Sequence, residues 1–331
     1  MGRPLVLTFL AAVAAGACGS SGSSVDPNKF RVVVITDTHI PGPEYVCCTE
    51  NTDNDNDSIQ KSTDRLREVV RRINAIDPRP DLVFVTGDVT HNPYHSQDRA
   101  HYDTEHTAFQ DVKEILGGLE MPYHLALGNH DYGIDCNNEY VSHDFTAGLF
   151  RDLLATEPYH AVDWKGWRFI LGNSQLGPTW DATGAGCNTE VASYGPEQLA
   201  WIDSQLSDGT PSTFMAHYPL FATKQDEDPG GANPDLMTVL ARHDSMKVSF
   251  AGHLHLWLDM LTQYSAPVYI LGGTRYDDDN FWVVEFDPPH GTFEILDHDK
   301  GRHGTTCANA WSYDGTPTLV TPQPDEDGSC N

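Results

Sequence analysis

Five times along this chain a short apolar run ends in a cluster of aspartate, asparagine or histidine. Phe30 to Ile35 leads into Asp37-Thr38-His39, and Leu82 to Thr86 leads into Gly87-Asp88. Tyr123 to Leu127 leads into Gly128-Asn129-His130-Asp131. Thr213 to Ala216 ends at His217, and Val248 to Ala251 at Gly252-His253-Leu254-His255. Short, nearly continuous apolar runs are what strands buried on both faces require. Trp167 to Gly172, Val268 to Leu271, Phe281 to Phe286 and Thr292 to Leu296 read as further strands.

Between the runs the periodicity changes. After a polar loop over residues 40–62, Leu66, Val69, Val70 and Ile73 recur at the spacing of one helix face. Phe109, Val112, Ile115 and Leu116 do the same. Pro196, a favoured first-turn residue, opens a helix with Leu199, Ile202 and Leu206 inward. Strands alternating with helices predict an α/β domain with a mostly parallel central sheet. Ligands of such sheets sit outside the carboxyl ends of the strands, so the five clusters share one edge. The chain shows no internal repeat.

Asp, Asn and His are ligands for borderline and hard cations. Glycine before Asp88, Asn129 and His253 lets the backbone turn sharply off each strand. Singly, each cluster reads equally well as a helix cap, a solvated turn or a structural histidine. Five in series at strand ends read as one metal centre.

In this order the motifs DxH, GD, GNH followed by Asp, a lone His and GHxH resemble the calcineurin-like metallophosphoesterases, over residues 29–300. The resemblance implies two packed mixed β-sheets flanked by helices, a four-layer αββα sandwich. It assigns one metal to Asp37, His39 and His255 and a second to Asn129, His217 and His253, with Asp88 bridging both. The metals are Mn, Fe or Zn, which Asp/Asn/His sites accept. A metal-bridging hydroxide then attacks a phosphodiester or phosphomonoester in line, with His130 as general acid. Asp131 either fixes the His130 tautomer and raises its pKa or caps the following turn. The rival reading is a non-catalytic metal-binding surface protein used for docking. Such relatives lack a catalytic histidine or the bridging aspartate, and none is missing here. The stretch Gly87 to His91 lacks the tyrosine that purple acid phosphatases use for ferric iron, and the plan looks closer to the bacterial cyclic-nucleotide phosphodiesterase branch. Diester against monoester stays open. His91, His95, His101 and His106 are either substrate contacts or loop surface.

The formal net charge of −28 over 331 residues argues against a nucleic-acid surface. A small phosphate ester needs a locally positive site, which bound metals supply. Asp53, Asp55, Asp57 and Asp64 fall at positions 1, 3, 5 and 12 of a calcium-loop pattern. Ser58 stands where that pattern wants glycine, and an acidic solvated loop is the alternative.

The ends of the chain read differently. Met1-Gly2-Arg3, the apolar run Pro4 to Ala15 and Ala15-Gly16-Ala17 have the form of a secretory signal peptide over residues 1–17. The run is too short to span a bilayer. Cys18 and a Gly/Ser tether over residues 18–28 resemble a bacterial lipoprotein, although Ala15 replaces the usual leucine. The expected location is outside the cytoplasm, either membrane-anchored through Cys18 or secreted. The remaining cysteines are Cys47, Cys48, Cys136, Cys187, Cys307 and Cys330, enough for up to three disulfides among 15 pairings. Residues 301–331 form an irregular tail pinned by such bonds.

Overall fold

The structure, a computed structural model, describes residues 26, 28–45, 54–260 and 266–296. In chain order, β1 (Phe30–Ile35), α1 (Asn54–Asn74), β2 (Leu82–Thr86), α2 (Arg99–Thr104), α3 (Ala108–Leu116) and β3 (Tyr123–Ala126) come first. A hairpin of β4 (Ile134–Asp135) and β5 (Asn138–Glu139) precedes α4 (His143–Leu154). Next come β6 (His160–Trp164), β7 (Trp167–Leu171), α5 (Gly195–Leu206), β8 (Ser212–Met215), α6 (Leu236–Ala241) and β9 (Met246–Ala251). Strands β10 (Leu258–Met260), β11 (Val268–Ile270), β12 (Trp282–Asp287) and β13 (Thr292–Ile295) close the series.

The strands form two sheets, ordered β13-β12-β1-β2-β3 and β10-β11-β9-β8-β7-β6. Strands β1, β2 and β3 run parallel, with β12 antiparallel on β1. In the second sheet β7, β8, β9 and β11 are parallel, and β6 and β10 are antiparallel edges. Alternation alone predicts one mostly parallel sheet; the chain instead builds two mixed sheets, as the resemblance implies. The period-2 geometry of strands explains the layering. Phe30, Val32 and Val34 share a buried cluster with Phe169, Met215 and Phe250 of the other sheet. Val33 and Ile35, on the opposite face of β1, join Leu66 and Val69 of α1 and Phe109 and Val112 of α3. On the second sheet Ile170 and Phe214 join Leu199 and Ile202 of α5 and Leu240 of α6. Phe84 and Phe169 meet between the sheets with ring centroids 4.6 Å apart. The order is helix, sheet, sheet, helix.

Three expectations change. Helix α1 begins at Asn54, where the sequence suggests a polar loop to residue 62. Its acidic first turns suit the positive end of the helix dipole. This removes the calcium loop at Asp55, Asp57 and Asp64, whose first member, Asp53, lies outside the described residues. Asp57 and Asp64 are seven helical residues apart, about 10 Å along the axis, and cannot ligate one ion. Asp57 pairs instead with Lys61 at 2.8 Å and Asp64 with Arg67 at 3.2 Å. Strand β6 and helices α4 and α6 are elements the sequence reading does not anticipate.

One disulfide, Cys136–Cys187, joins the β4–β5 hairpin to the loop before α5. Cys18, Cys47, Cys48, Cys307 and Cys330, the leader over 1–17 and the tail over 301–331 lie outside the described residues. Among the described residues no helix is long and apolar enough to cross a membrane.

Candidate metal centre

All five clusters meet at the carboxyl edges of β1, β2, β3, β8 and β9. Leaving a strand abruptly has a backbone cost, and the structure concentrates it here. Asp37, His39, Asp88, His253 and His255 all adopt positive φ, between 47° and 72°, a region non-glycine residues seldom occupy. Gly87 takes φ 104°, and a Cβ there would lie 2.6 Å from that of His217. At Gly252 a Cβ would run into Thr36 Oγ1 and Asp37 Oδ2. Both glycines let a side chain from another strand, His217 at Gly87 and Asp37 at Gly252, press against the backbone, and Gly87 also turns the chain.

Asp37, His39, Asp88 and His255 offer ligand atoms that all lie within 4.8 Å of one another. Asp37 Oδ2 accepts the His253 amide at 3.1 Å. Its Oδ1 is buried with no hydrogen-bond partner among the described residues, yet His255 Nε2 lies 3.1 Å away and His39 Nε2 3.7 Å. Beside this set stands a second. Asn129 Oδ1 is 3.0 Å from both His217 Nε2 and His253 Nδ1. The two sets meet at Asp88. Its Oδ1 accepts the His130 amide at 2.8 Å, while Oδ2 lies 3.3 Å from His39 Nε2 and 3.1 Å from His217 Nε2.

So many lone pairs facing one another at such distances need positive charge among them. Thr86 O, which can only accept, takes the Nδ1 proton of His217 at 3.1 Å. That leaves Nε2 turned toward Asp88 and Asn129. Burial opposes a charged His217, but Asp88 and Asp37 outweigh it and push its pKa up to about 9. Without a cation, a proton on His217 takes its place. Burial also opposes ionised Asp88, but His217, His130 and His39 hold its carboxyl well below the usual range. Burial, with His217 beside it, pushes His253 down to about 3, and His39 is lowered by burial as well. Orphaned Asp37 Oδ1, two anionic carboxylates and neutral imidazoles fit a pair of divalent cations.

His130 is partly exposed at the mouth of the site, its Nδ1 3.2 Å from Asn92 Oδ1. Asp131 does not touch it. The Asp131 carboxylate instead accepts from the backbone of Val89, Thr90 and Gly128 and from Thr90 Oγ1, at 2.7–3.1 Å. It is a buried clasp between the loops after β2 and β3. Burial and the charge of Asp88 push its pKa up to about 7. The expected role of Asp131 in setting the His130 tautomer is therefore corrected, and its bonds run to Val89, Thr90 and the preceding Gly128 rather than to the following turn.

Of the four loop histidines, His91 alone is buried. Its Nδ1 lies 3.0 Å from His39 Nδ1, and its ring stacks on His130 with centroids 4.8 Å apart. His95 is exposed, His101 pairs with Glu44 and His106 with Asp111. Sequence reasoning missed Asn92 and Tyr218, whose ring stacks 3.9 Å from that of His253. It also missed Arg275, a buried residue whose amide donates to Asp37 O at 3.0 Å. The paired glycines Gly272 and Gly273 after β11 are the signal that points to that loop.

Residues 30–256 match the family described as calcineurin-like phosphoesterase. The chain is 24% identical over 180 residues to a probable cyclic nucleotide phosphodiesterase of Synechococcus, covering 53% of this chain and 58% of that protein. It is 23% identical over 286 residues to a probable glycerophosphodiester phosphodiesterase of Arcobacter nitrofigilis, covering 82% and 90%. Over 220 residues it is 26% identical to a human serine/threonine-protein phosphatase, covering 62% and 63%. The chain thus spans less than two thirds of the first and third of these.

Proposed function

The chain belongs to the calcineurin-like phosphoesterase family of metal-dependent phosphoric ester hydrolases, and from that premise we propose an exported hydrolase of small phosphate diesters that works with two metal ions. Asp37, His39 and His255 hold one ion, Asn129, His217 and His253 the other, and Asp88 serves both. The observation that carries this reading is Asp88 Oδ2, which lies 3.3 Å from a ligand nitrogen of the first set and 3.1 Å from one of the second. Cations bound there supply positive charge for the phosphoryl oxygens and acidify the attacking water. The protein's own part is to aim and to move a proton. With Asn92 Oδ1 accepting from Nδ1, the imidazolium form of His130 carries its second proton on Nε2, from which it can be given to the departing oxygen. The backbone bond from His130 to Asp88 fixes the ring's position relative to the ligands. A cavity beside His130 gives the second ester arm room, which favours diesters over monoesters.

Export rests on the leader-like run before Cys18 and on the Cys136–Cys187 disulfide, a bond that persists in oxidising compartments. Whether anchored by an acylated Cys18 or secreted, the enzyme then meets substrates outside the cytoplasm. Elemental analysis of wild type and Asp88→Asn, with bis(4-nitrophenyl) phosphate and 4-nitrophenyl phosphate as paired substrates, tests the proposal. Near two metals per chain, a clear loss in the variant and faster diester turnover are expected. An Asp88→Asn protein that keeps both metals and full activity overturns it, and a metal-loaded wild type that hydrolyses neither ester returns the chain to the docking alternative.

A further inference from the structure

A cavity of about 630 Å³ opens from the side of the site formed by Asn129, His130 and His253, within the size range of ligand pockets. Part of its lining is rigid. Tyr132, Trp180 and Tyr218 are each at most 4% exposed and belong to the buried core that also takes in α4 and α5. The rest comes from two exposed segments whose cysteines are 51 residues apart. The β4–β5 hairpin, with the residue after it, supplies Asp135, Asn138 and Tyr140, and the loop before α5 supplies Thr189 and Glu190.

Little packing fastens these two segments. From Asn137 to Tyr140 every residue is exposed, and from Thr183 to Asn188 none is buried. Among the described residues the hairpin and the loop are linked by the Asn137 amide, which donates to Ala182 O at 2.9 Å, and by the Cys136–Cys187 disulfide. Segments with so few buried contacts open locally at low cost in free energy. A covalent tie between them keeps this side of the pocket at one width. A site held in shape beforehand binds more tightly, because less freedom is lost when the ligand enters. The proposed metal ligands follow β1, β2, β3, β8 and β9, and none lies on the hairpin or on this loop.

Resting on the phosphoesterase reading above, we propose that Cys136 and Cys187 are a specificity-determining pair. Their bond positions the hairpin and the loop around the second ester arm and takes no part in the metal chemistry. Esters whose second arm reaches this wall depend on the bond, and esters with a small second arm do not.

The test compares two monoanionic diesters with the same leaving group, bis(4-nitrophenyl) phosphate and methyl 4-nitrophenyl phosphate. Both are hydrolysed to nitrophenolate, so only the second arm differs. They are measured on metal-loaded wild type and on metal-loaded protein carrying Cys136→Ser and Cys187→Ser together. For the bis ester, KM should rise by about 3- to 10-fold in the variant, the scale of one side chain losing its order, with kcat little changed. The methyl ester should keep its kcat/KM, and metal content should stay that of wild type. A double variant that does not fold is replaced by folded wild type opened with tris(2-carboxyethyl)phosphine. The phosphine takes oxygen from water and becomes its oxide, while the disulfide gains two electrons and two protons. Alkylation and peptide mapping then identify protein open at Cys136 and Cys187, and the same shift in KM is expected. An unchanged KM for the bis ester overturns the proposal. Equal losses on both esters, or loss of metal, overturn it too, because the bond would then support the whole site. Hydrolysis of neither ester by the metal-loaded wild type overturns the phosphoesterase reading and this proposal together.

Discussion

His91 Nδ1 lies 3.0 Å from His39 Nδ1, and both rings are buried. The contact fixes two tautomers. His39 Nε2 faces Asp37, Asp88 and His255, so as a ligand it must present a lone pair there. Its proton then sits on Nδ1 and is donated to His91, whose own proton goes to Nε2. Ligand histidines commonly donate to a carboxylate, carbonyl or water. Here the acceptor is the neutral ring of His91, pushed down to about 4 by burial and His130, and it adds no charge.

His91→Ala should therefore weaken the first metal rather than remove it. The expected loss is about 10- to 100-fold in affinity, the usual scale for such a partner, measured by competition with a chelator. His91→Asn, which restores an acceptor, should recover part of it. Unchanged metal affinity in His91→Ala would show that the contact does not orient His39.

Asp131 carries a stability prediction instead of a catalytic one. Removing its carboxylate strands the buried amides of Val89, Thr90 and Gly128, at about 1–3 kcal/mol for each donor left unsatisfied. Asp131→Ala should lower unfolding free energy by at least about 3 kcal/mol in denaturant titration. A variant of normal stability with a shifted pH–rate profile would return Asp131 to a role beside His130.

The role of His130 depends on the leaving group. An alkoxide needs a proton in the transition state and a nitrophenolate does not. His130→Ala should slow an alkyl ester by ~10²–10⁴-fold, the usual range for general acid help, and a nitrophenyl ester much less. Metal content should stay near normal. Equal losses on both esters would make His130 a group that positions the phosphoryl unit instead.

Acylation at Cys18 has a direct test in the cell. Cys18→Ser should release the protein from membranes or block its processing, and mass spectrometry should find a lipid on the mature N-terminus. An unmodified Cys18 at that terminus would establish plain secretion.

The buried strands were legible because a strand covered on both faces must be apolar throughout. Phe30–Ile35 and Leu82–Thr86 keep the limits the sequence suggests. The convergence of the five clusters was legible because each Asp, Asn or His group follows closely on its strand. Elements at the periphery were not. Edge strand β6 mixes His160, Asp163 and Trp164 without clean alternation, and the first turns of α1 are as polar as a loop. The calcium pattern shows the same limit, since spacing alone does not say whether a segment turns or coils. Asp131 was misjudged because sequence adjacency to His130 carries no information on where its side chain points. The pocket was invisible for a further reason. Tyr94, Trp180 and Tyr218 are brought together by tertiary packing, and the pairing of Cys136 with Cys187 was one of many open to six cysteines.

Two cations that share Asp88 should make hydrolysis depend on both. Metal-stripped protein titrated with Mn²⁺ or Zn²⁺, with bis(4-nitrophenyl) phosphate hydrolysis followed at each addition, tests it most directly. Sharing of Asp88 by two cations predicts no hydrolysis at the start and a plateau at about two equivalents per chain, the stoichiometry of a two-metal centre. Full activity in the stripped protein, or a plateau at a single equivalent, would contradict it.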